Sequence, residues 1–180
     1  MARHRHKRVG PMSRIAIVLL SVLSLAACAS QPEARFGADG KPLPQVYKIK
    51  TSDEAKIPYR DLDSLNALRS ARGVAPVTLS AELTAAAATH SRDMSVQNRA
   101  WHFGSDGSSP IDRARRAGYM GQVLGEDISE TFETESETLA AWMNVPDTRE
   151  VLLSPEARQI GIAWLQEPTG KIWWTLLTGS

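Results

Sequence analysis

The sequence predicts an α+β fold in which helices come first and an antiparallel hairpin closes the domain. Helical spacing and capping residues recur between residues 62 and 153. Two runs of alternating apolar residues follow, at 160–165 and 172–176, and Pro168-Thr169-Gly170 supplies the turn between them. We expect one domain over residues 59–180, which is long enough to bury a single core.

The first 27 residues are typical of a bacterial lipoprotein signal peptide. Basic residues precede an apolar run at 15–25, which is shorter than the ~20 residues that a membrane-spanning helix needs. The run ends in Leu25-Ala26-Ala27-Cys28, and Cys28 is the only cysteine in the chain. We therefore predict lipidation of Cys28, with acyl chains such as palmitate. The alternative is an ordinary secretory signal cut near Ala27 or Ala29.

This leader predicts an extracytoplasmic protein held to the cell membrane or the outer membrane by its lipid. Removing residues 1–27 removes five basic and no acidic residues, so the net charge falls from +1 to −4. A mildly acidic domain lacks the basic surface that nucleic acid requires, and we expect no nucleic-acid partner. A single cysteine also excludes a disulfide within the chain.

Residues 28–58 have the composition of a flexible tether, because prolines and glycines recur among polar residues. Val46, Tyr47 and Ile49 leave room for one short strand. The spacing of Leu62, Leu65 and Leu68 then predicts a first helix that ends before Gly73.

The second predicted helix runs from Ser80, as N-cap, to about Asn98. Its buried side chains are expected to be Leu83, Ala87, His90 and Met94. A histidine on such an apolar face is usually a hydrogen-bonded core residue rather than a ligand, and we interpret His90 in that way.

A polar stretch from Trp101 to Asp127 follows. Ser109-Pro110 predicts the start of a short helix that ends before Gly118. Its arginines, Arg113, Arg115 and Arg116, are interpreted as a solvated face or local ion pairs with Asp106 and Asp112, and the alternative is a site for anions.

The remaining elements follow from turn and capping signals. Residues 123–128 suggest a short strand, and Thr134 with Glu137 forms a capping box for a helix that runs to Met143 and stops at Pro146. Residues 147–153 suggest one more short helix.

An ordered series of short motifs resembles one protein family. The series is Leu65-Asn66-x-x-Arg69, His90, Asp93-Met94, His102-x-Gly104-Ser105-Asp106-Gly107, Gly118-Tyr119, Gly125-Glu126, Trp142-Met143-Asn144, Ile160-Gly161 and Trp174-Thr175. It resembles the bacterial branch of the CAP superfamily of cysteine-rich secretory proteins, antigen 5 and pathogenesis-related proteins. The resemblance covers residues 62–178 and implies a single α–β–α sandwich with a surface cleft.

The resemblance also implies which residues line the cleft. His102 matches the family's first histidine and Glu126 the glutamate of its Gly-Glu-Asn motif, in which Asp127 replaces the asparagine. Val145 stands where the second glutamate would fall and Thr148 where the second histidine would fall. Some family members hold a divalent metal in this cleft. Because Val145 and Thr148 replace the second glutamate and the second histidine, half of the usual cleft chemistry is missing here.

His102 and Glu126 are thus the candidate catalytic or metal-binding pair. Asp106, Asp127 or Asp147 would complete an oxygen-rich site suited to Ca²⁺ or Mg²⁺ better than to Zn²⁺. The alternative is that the pair only fixes the cleft loops.

Trp101, Asp106, Asp127 and Thr148 are the other candidate cleft residues. We predict a membrane-anchored binding module for a lipid, an envelope glycan or a protein. The alternative is a hydrolase, of the peptidase type, that uses His102 and Glu126 with or without a divalent ion.

Overall fold

A computed structural model describes residues 46–180 of the chain. The predicted signal peptide, Cys28 and the tether as far as residue 45 lie outside the described residues. The described part has six helices and four strands: α1 (Thr51–Glu54), α2 (Ile57–Ala71), β1 (Thr78–Leu79), α3 (Ala81–Gln97), α4 (Pro110–Arg116), β2 (Val123–Glu130), α5 (Glu135–Asn144), α6 (Pro146–Leu153), β3 (Gln159–Gln166) and β4 (Ile172–Gly179).

The strands form one sheet in the order β1-β3-β4-β2. β1 is parallel to β3, and the other two pairings are antiparallel, so β3 and β4 form the predicted C-terminal hairpin. One apolar cluster joins α2, α5 and α6 to one face of the sheet, and a second joins α3 and α4 to the other face. The predicted α+β class and the α–β–α sandwich are both confirmed.

The alternation along β3 divides the core between the two faces. Ile160 and Ile162 lie in the cluster with α2, α5 and α6, whereas Ala163 lies in the cluster with α3. Gly161 also faces α3, where a Cβ atom would collide with the backbone of Leu83 and Thr84. The absence of a side chain at Gly161 therefore lets α3 lie directly on the sheet.

The domain begins earlier than the predicted boundary at residue 59. Helix α2 starts at Ile57, which is buried in the core, and Pro58 occupies its first turn. Proline fits there because the first turn of a helix needs no N–H donor. The composition of residues 28–58, with prolines and glycines among polar residues, predicted a tether as far as residue 58, whereas the structure places the last residues of this range in α1 and the start of α2.

The residues before α1 are fixed to the domain by a side chain rather than by strand pairing. Ile49 N donates to Gln166 Oε1 at 2.9 Å, and Gln166 Nε2 donates to Tyr47 O at 2.8 Å. The suggested short strand at Val46, Tyr47 and Ile49 is therefore wrong, although Tyr47 and Ile49 pack against the core.

The other predicted elements are confirmed with small changes in their ends. Ser80 caps α3, Ser109 caps α4, and Thr134 forms the capping box of α5. Strand β2 continues to Glu130, two residues beyond the prediction. None of the helices between residues 46 and 180 has the length and apolar character to cross a membrane.

Candidate functional site

An ion pair between Glu126 on β2 and Arg113 on α4 forms the base of the site. Glu126 is paired in register with Leu177, a residue of the cluster on the α3 and α4 face, so its side chain points to that face. Arg113 Nη2 donates to Glu126 Oε2 at 2.6 Å, and the two side chains are only 3% and 1% exposed. The predicted local ion pair is confirmed for Arg116, which pairs with Asp106. For Arg113 the interpretation was wrong, because the short helix turns this residue inward beside Ala114 and its partner is Glu126.

Arg113 also fixes the loop that contains His102. Its Nη1 donates to His102 O at 3.1 Å and to Ser108 O at 2.9 Å. One guanidinium thus connects the loop, the polar turn and the strand. Planar guanidinium groups suit this role because their donors diverge in fixed directions.

The fold brings His102 to Glu126, the pair that the family resemblance pointed to. Its Nδ1 donates to Glu126 Oε1 at 3.0 Å, since a carboxylate only accepts. The His102 side chain is 53% exposed, and Nε2 is the ring nitrogen left for a ligand. Both oxygens of Glu126 are therefore occupied, whereas the imidazole is oriented and accessible.

His90 is the predicted core histidine. It is fully buried, and its Nε2 donates to Trp101 O at 2.8 Å, which holds the residue before His102 in place. Burial lowers the pKa of His90, so the ring is neutral near pH 7. Its Nδ1 has no hydrogen-bond partner among residues 46–180.

The polar turn after His102 is fixed by two carboxylates. Asp93 accepts hydrogen bonds from Ser105 N and Ser105 Oγ, both at 2.6 Å. Asp106 accepts from Ser108 N at 2.9 Å and forms an ion pair with Arg116. Its bonds from Ser108 and Arg116 hold the pKa of Asp106 well below its usual range.

Aromatic side chains lie beside His102. Trp101 Nε1 donates to Gln97 Oε1 at 2.7 Å, and its ring lies 5.8 Å from that of Phe103. The guanidinium of Arg99 covers the Trp101 ring at 4.0 Å, an arrangement that a cation–π attraction favours. Phe103 is half exposed, so the segment 101–103 presents an apolar rim next to the imidazole.

Asp127 does not lie with His102 and Glu126. It follows Glu126 on the strand and is in register with Leu176, so its side chain points to the face that carries α2, α5 and α6. Neither carboxyl oxygen has a partner within the described residues, and burial raises the pKa of Asp127 to about 8. The expectation that Asp127 shares the cleft was wrong, because adjacent residues of a strand face opposite ways.

Thr148 uses its hydroxyl locally. Thr148 Oγ1 donates to Trp142 O at 2.5 Å, where α5 ends and α6 begins. Val145 and Asp147 are exposed at the same corner. A hydroxyl that satisfies a helix-end carbonyl stabilises the corner, and the structure shows no second acid–base group at this position.

The described residues do not fit the divalent metal that the family resemblance suggested. Between residues 46 and 180, no three histidine, cysteine, aspartate or glutamate side chains converge on a point where an ion would bind. Arg113 and His102 occupy the oxygens of Glu126, and Asp127 faces away. One free imidazole nitrogen is too small a ligand set for Zn²⁺ or Ca²⁺.

Comparison with known proteins agrees with this fold and with the order of the motifs. Residues 62–177 match the model of the CAP family, described as the cysteine-rich secretory protein family, over more than half of the chain. The chain belongs to the CAP family. Its Glu126 and His102 are in contact, whereas Val145 and Thr148 stand at the two positions where the family resemblance implied a glutamate and a histidine.

Proteins similar to this CAP domain come from several bacteria. It is 31% identical over 108 residues to a Bacillus subtilis protein called "Uncharacterized protein YkwD", an alignment that covers 60% of this chain and 41% of that protein. The fold is similar to that of an outer surface protein from Borrelia burgdorferi, with a TM-score of 0.64, 20% identity, and coverage of 76% of this chain and 98% of the other. It is also similar to an extracellular protein with an SCP domain from Bacillus anthracis, with a TM-score of 0.62, 19% identity, and coverage of 73% and 44%.

Sequence reasoning missed the importance of Arg113. The one available signal was its position, since the small residues Ala114 and Ala117 mark the inward face of α4 and Arg113 lies four residues before Ala117. Its charge favoured a position at the surface, because arginine is rarely buried without a partner. The partner, Glu126, lies on another element and is found only in three dimensions.

Proposed function

We propose that this CAP protein is an extracytoplasmic binding module, anchored to the envelope by a lipid on Cys28, and that His102 is its main recognition group. The occupied carboxylate of Glu126 is the observation that carries the proposal. Glu126 has Arg113 on one oxygen and His102 on the other, and its side chain is only 1% exposed, so its carboxylate is shielded from a substrate. The site therefore presents one oriented imidazole beside an aromatic rim.

Such a surface suits binding better than catalysis. His102 Nε2 accepts or donates one hydrogen bond, according to its protonation, and the rings of Trp101 and Phe103 offer apolar contact. The ligand is a lipid, an envelope glycan or a protein. The outer surface and extracellular proteins of similar fold support the extracytoplasmic location.

The test is capture from envelope fractions. The full chain would be linked to beads and incubated with solubilised envelope material, beside the His102→Ala and Phe103→Ala variants. We expect both variants to retain much less of the same component. Tyr59→Ala is the matched control, because Tyr59 is an exposed aromatic on α2, the helix that packs against the other face of the sheet. Equal capture by all four proteins would contradict the proposal.

A hydrolase remains the second candidate, for one reason. A carboxylate that accepts from Nδ1 holds the imidazole in the tautomer whose Nε2 can take a proton, which is the geometry of an oriented general base. This candidate predicts new products when the protein is incubated with mixed peptides and envelope fragments and the mixture is analysed by mass spectrometry. Those products must vanish in His102→Ala. If no products form under any condition, binding is the remaining activity.

A further inference from the structure

A cavity between α3 and α4 lies beside the imidazole site and is separate from it. Its volume is about 420 Å³, within the range of roughly 300–1,000 Å³ that small-molecule sites have. Neither His102 nor Glu126 lines it, although Arg113 does. We propose that this cavity binds a neutral, hydroxyl-bearing ligand, such as one sugar unit of an envelope glycan.

The shape of the cavity comes from small residues on the two helices. Ala85 and Thr89 on α3 face Ala117, which follows the last residue of α4, across the gap. Because these side chains are short, the helices leave room for a ring between them. Larger side chains at the same positions would close the space.

The charged groups of the lining already have partners within the protein. Asp106 is paired with Arg116, and Arg113 is paired with the buried Glu126. The carboxylate of Asp93 accepts three hydrogen bonds, two from Ser105 and one from Gln97 Nε2 at 2.8 Å. A charged ligand would have to break one of these pairs, so a neutral polar ligand fits the lining better.

The lining still has hydrogen-bonding capacity. Carboxylates accept and guanidinium groups donate, and a hydroxyl group does both, so the hydroxyls of a sugar match a wall that contains acceptors and donors. In addition, Arg113 is 4% exposed, and its Nε has no acceptor among residues 46–180. This Nε is itself buried, so a ligand that shifts the Arg113 side chain would supply the missing acceptor.

Arg113 also connects the cavity to the imidazole site. The same guanidinium donates to His102 O and to Glu126. A ligand that shifts Arg113 would therefore also affect the backbone of His102, although His102 does not line the cavity. This inference does not depend on what His102 itself binds.

The test is a titration of the full chain in a detergent without a sugar headgroup, followed by ¹⁵N NMR of the arginine Nε–H groups. The probes are N-acetylglucosamine, glucose and glycerol, with acetate and the dipeptide Ala-Ala as charged comparisons. We expect a saccharide to bind with a Kd of about 1 mM and to shift the Arg113 Nε–H signal. A response to glycerol alone would assign the cavity to simple polyols instead of glycans and overturn the sugar assignment.

Variants locate the binding. Ala85→Leu fills the cavity from an exposed position on α3, and Arg116→Gln removes a positive charge from its lining. We expect each variant to weaken saccharide binding at least about tenfold. Ala81→Leu is the matched control, since Ala81 is exposed on the same helix outside the cavity and should leave binding unchanged. No saccharide binding at about 10 mM, a preference for acetate or the dipeptide, or full binding by Ala85→Leu would overturn the proposal.

Discussion

Arg113 Nη2 lies 2.6 Å from Glu126 Oε2, and this ion pair is almost completely shielded from water. Because each charge is buried, each depends on the other for its stability in the interior. The pair connects α4 to β2, and through the Nη1 of Arg113 it also holds the loop that carries His102. His102 is therefore exposed, but the groups that position it are core residues.

Breaking this pair should destabilise the fold. Glu126→Gln leaves the guanidinium without a counter-charge, and Arg113→Met leaves the carboxylate without one, so we expect each to lower the free energy of unfolding by about 3–5 kcal/mol. Urea denaturation measures the loss. The double variant should cost clearly less than the sum of the two single variants, because no unpaired charge remains. Additive losses would contradict the coupling.

His102→Ala should separate binding from stability. The His102 side chain is half exposed and donates one hydrogen bond to Glu126, so we expect its removal to lower the free energy of unfolding by about 1 kcal/mol while envelope capture is lost. His102→Gln is a useful comparison, since its amide can still donate to Glu126. A large loss of stability in His102→Ala would show that the imidazole is a structural group.

The contribution of Asp127 to the stability of the protein should fall as the pH rises, because its carboxyl group is buried without a partner among the described residues. Burial raises its pKa to about 8 in the folded protein, whereas an unfolded aspartate has a pKa of about 4. Between about pH 4 and pH 8 the folded state keeps a proton that the unfolded state has lost, so the free energy of unfolding decreases across this window by up to about 1.4 kcal/mol per pH unit and levels off above it.

Asp127→Asn should flatten this dependence. Asparagine has a similar shape and does not titrate, so the variant should gain stability relative to the wild type as the pH rises through the window. Asp61, whose pKa burial raises to about 7, adds the same effect over a slightly narrower range. Urea denaturation at several pH values compares the slopes. Parallel curves for wild type and Asp127→Asn would refute the assignment.

Gly161→Ala should disturb the packing of α3 on the sheet. A methyl group there meets the backbone of Leu83 and Thr84, which cannot move aside as a flexible side chain would. We expect a loss of about 1–3 kcal/mol or more, since overpacking of this kind shifts backbone atoms. The loss should appear in thermal unfolding. An unchanged melting temperature would mean that the helix is free to move away from the strand.

Lipid anchoring is predicted from residues outside the described part and needs its own test. Cys28→Ser removes the only thiol that can be acylated, so the variant should leave the membrane fraction or accumulate with its leader uncut. Fractionation followed by immunoblotting distinguishes these results. Normal retention of Cys28→Ser in the membrane would show that the lipoprotein assignment is wrong.

The sequence by itself determined most of the fold. Local signals such as Ser80 before α3, the capping box at Thr134 and the alternation after Ile160 predicted elements that the structure confirms. Each of these signals acts between residues close in sequence, so it can be read without knowing the partner elements. The contact between His102 and Glu126 was predicted too, but from the family resemblance.

The tertiary structure decided how the site works. The sequence did not predict that Arg113 is buried or that the Asp127 side chain points away from the cleft. Burial and side-chain direction depend on which elements pack against α4 and β2. A charged residue on a short helix is equally consistent with solvent or with a buried partner until that partner is known. Contacts between residues that are distant in the chain place Arg113 and His102 on the two oxygens of Glu126 and leave His102 as the exposed group. Neighbouring residues in the chain do not specify such contacts.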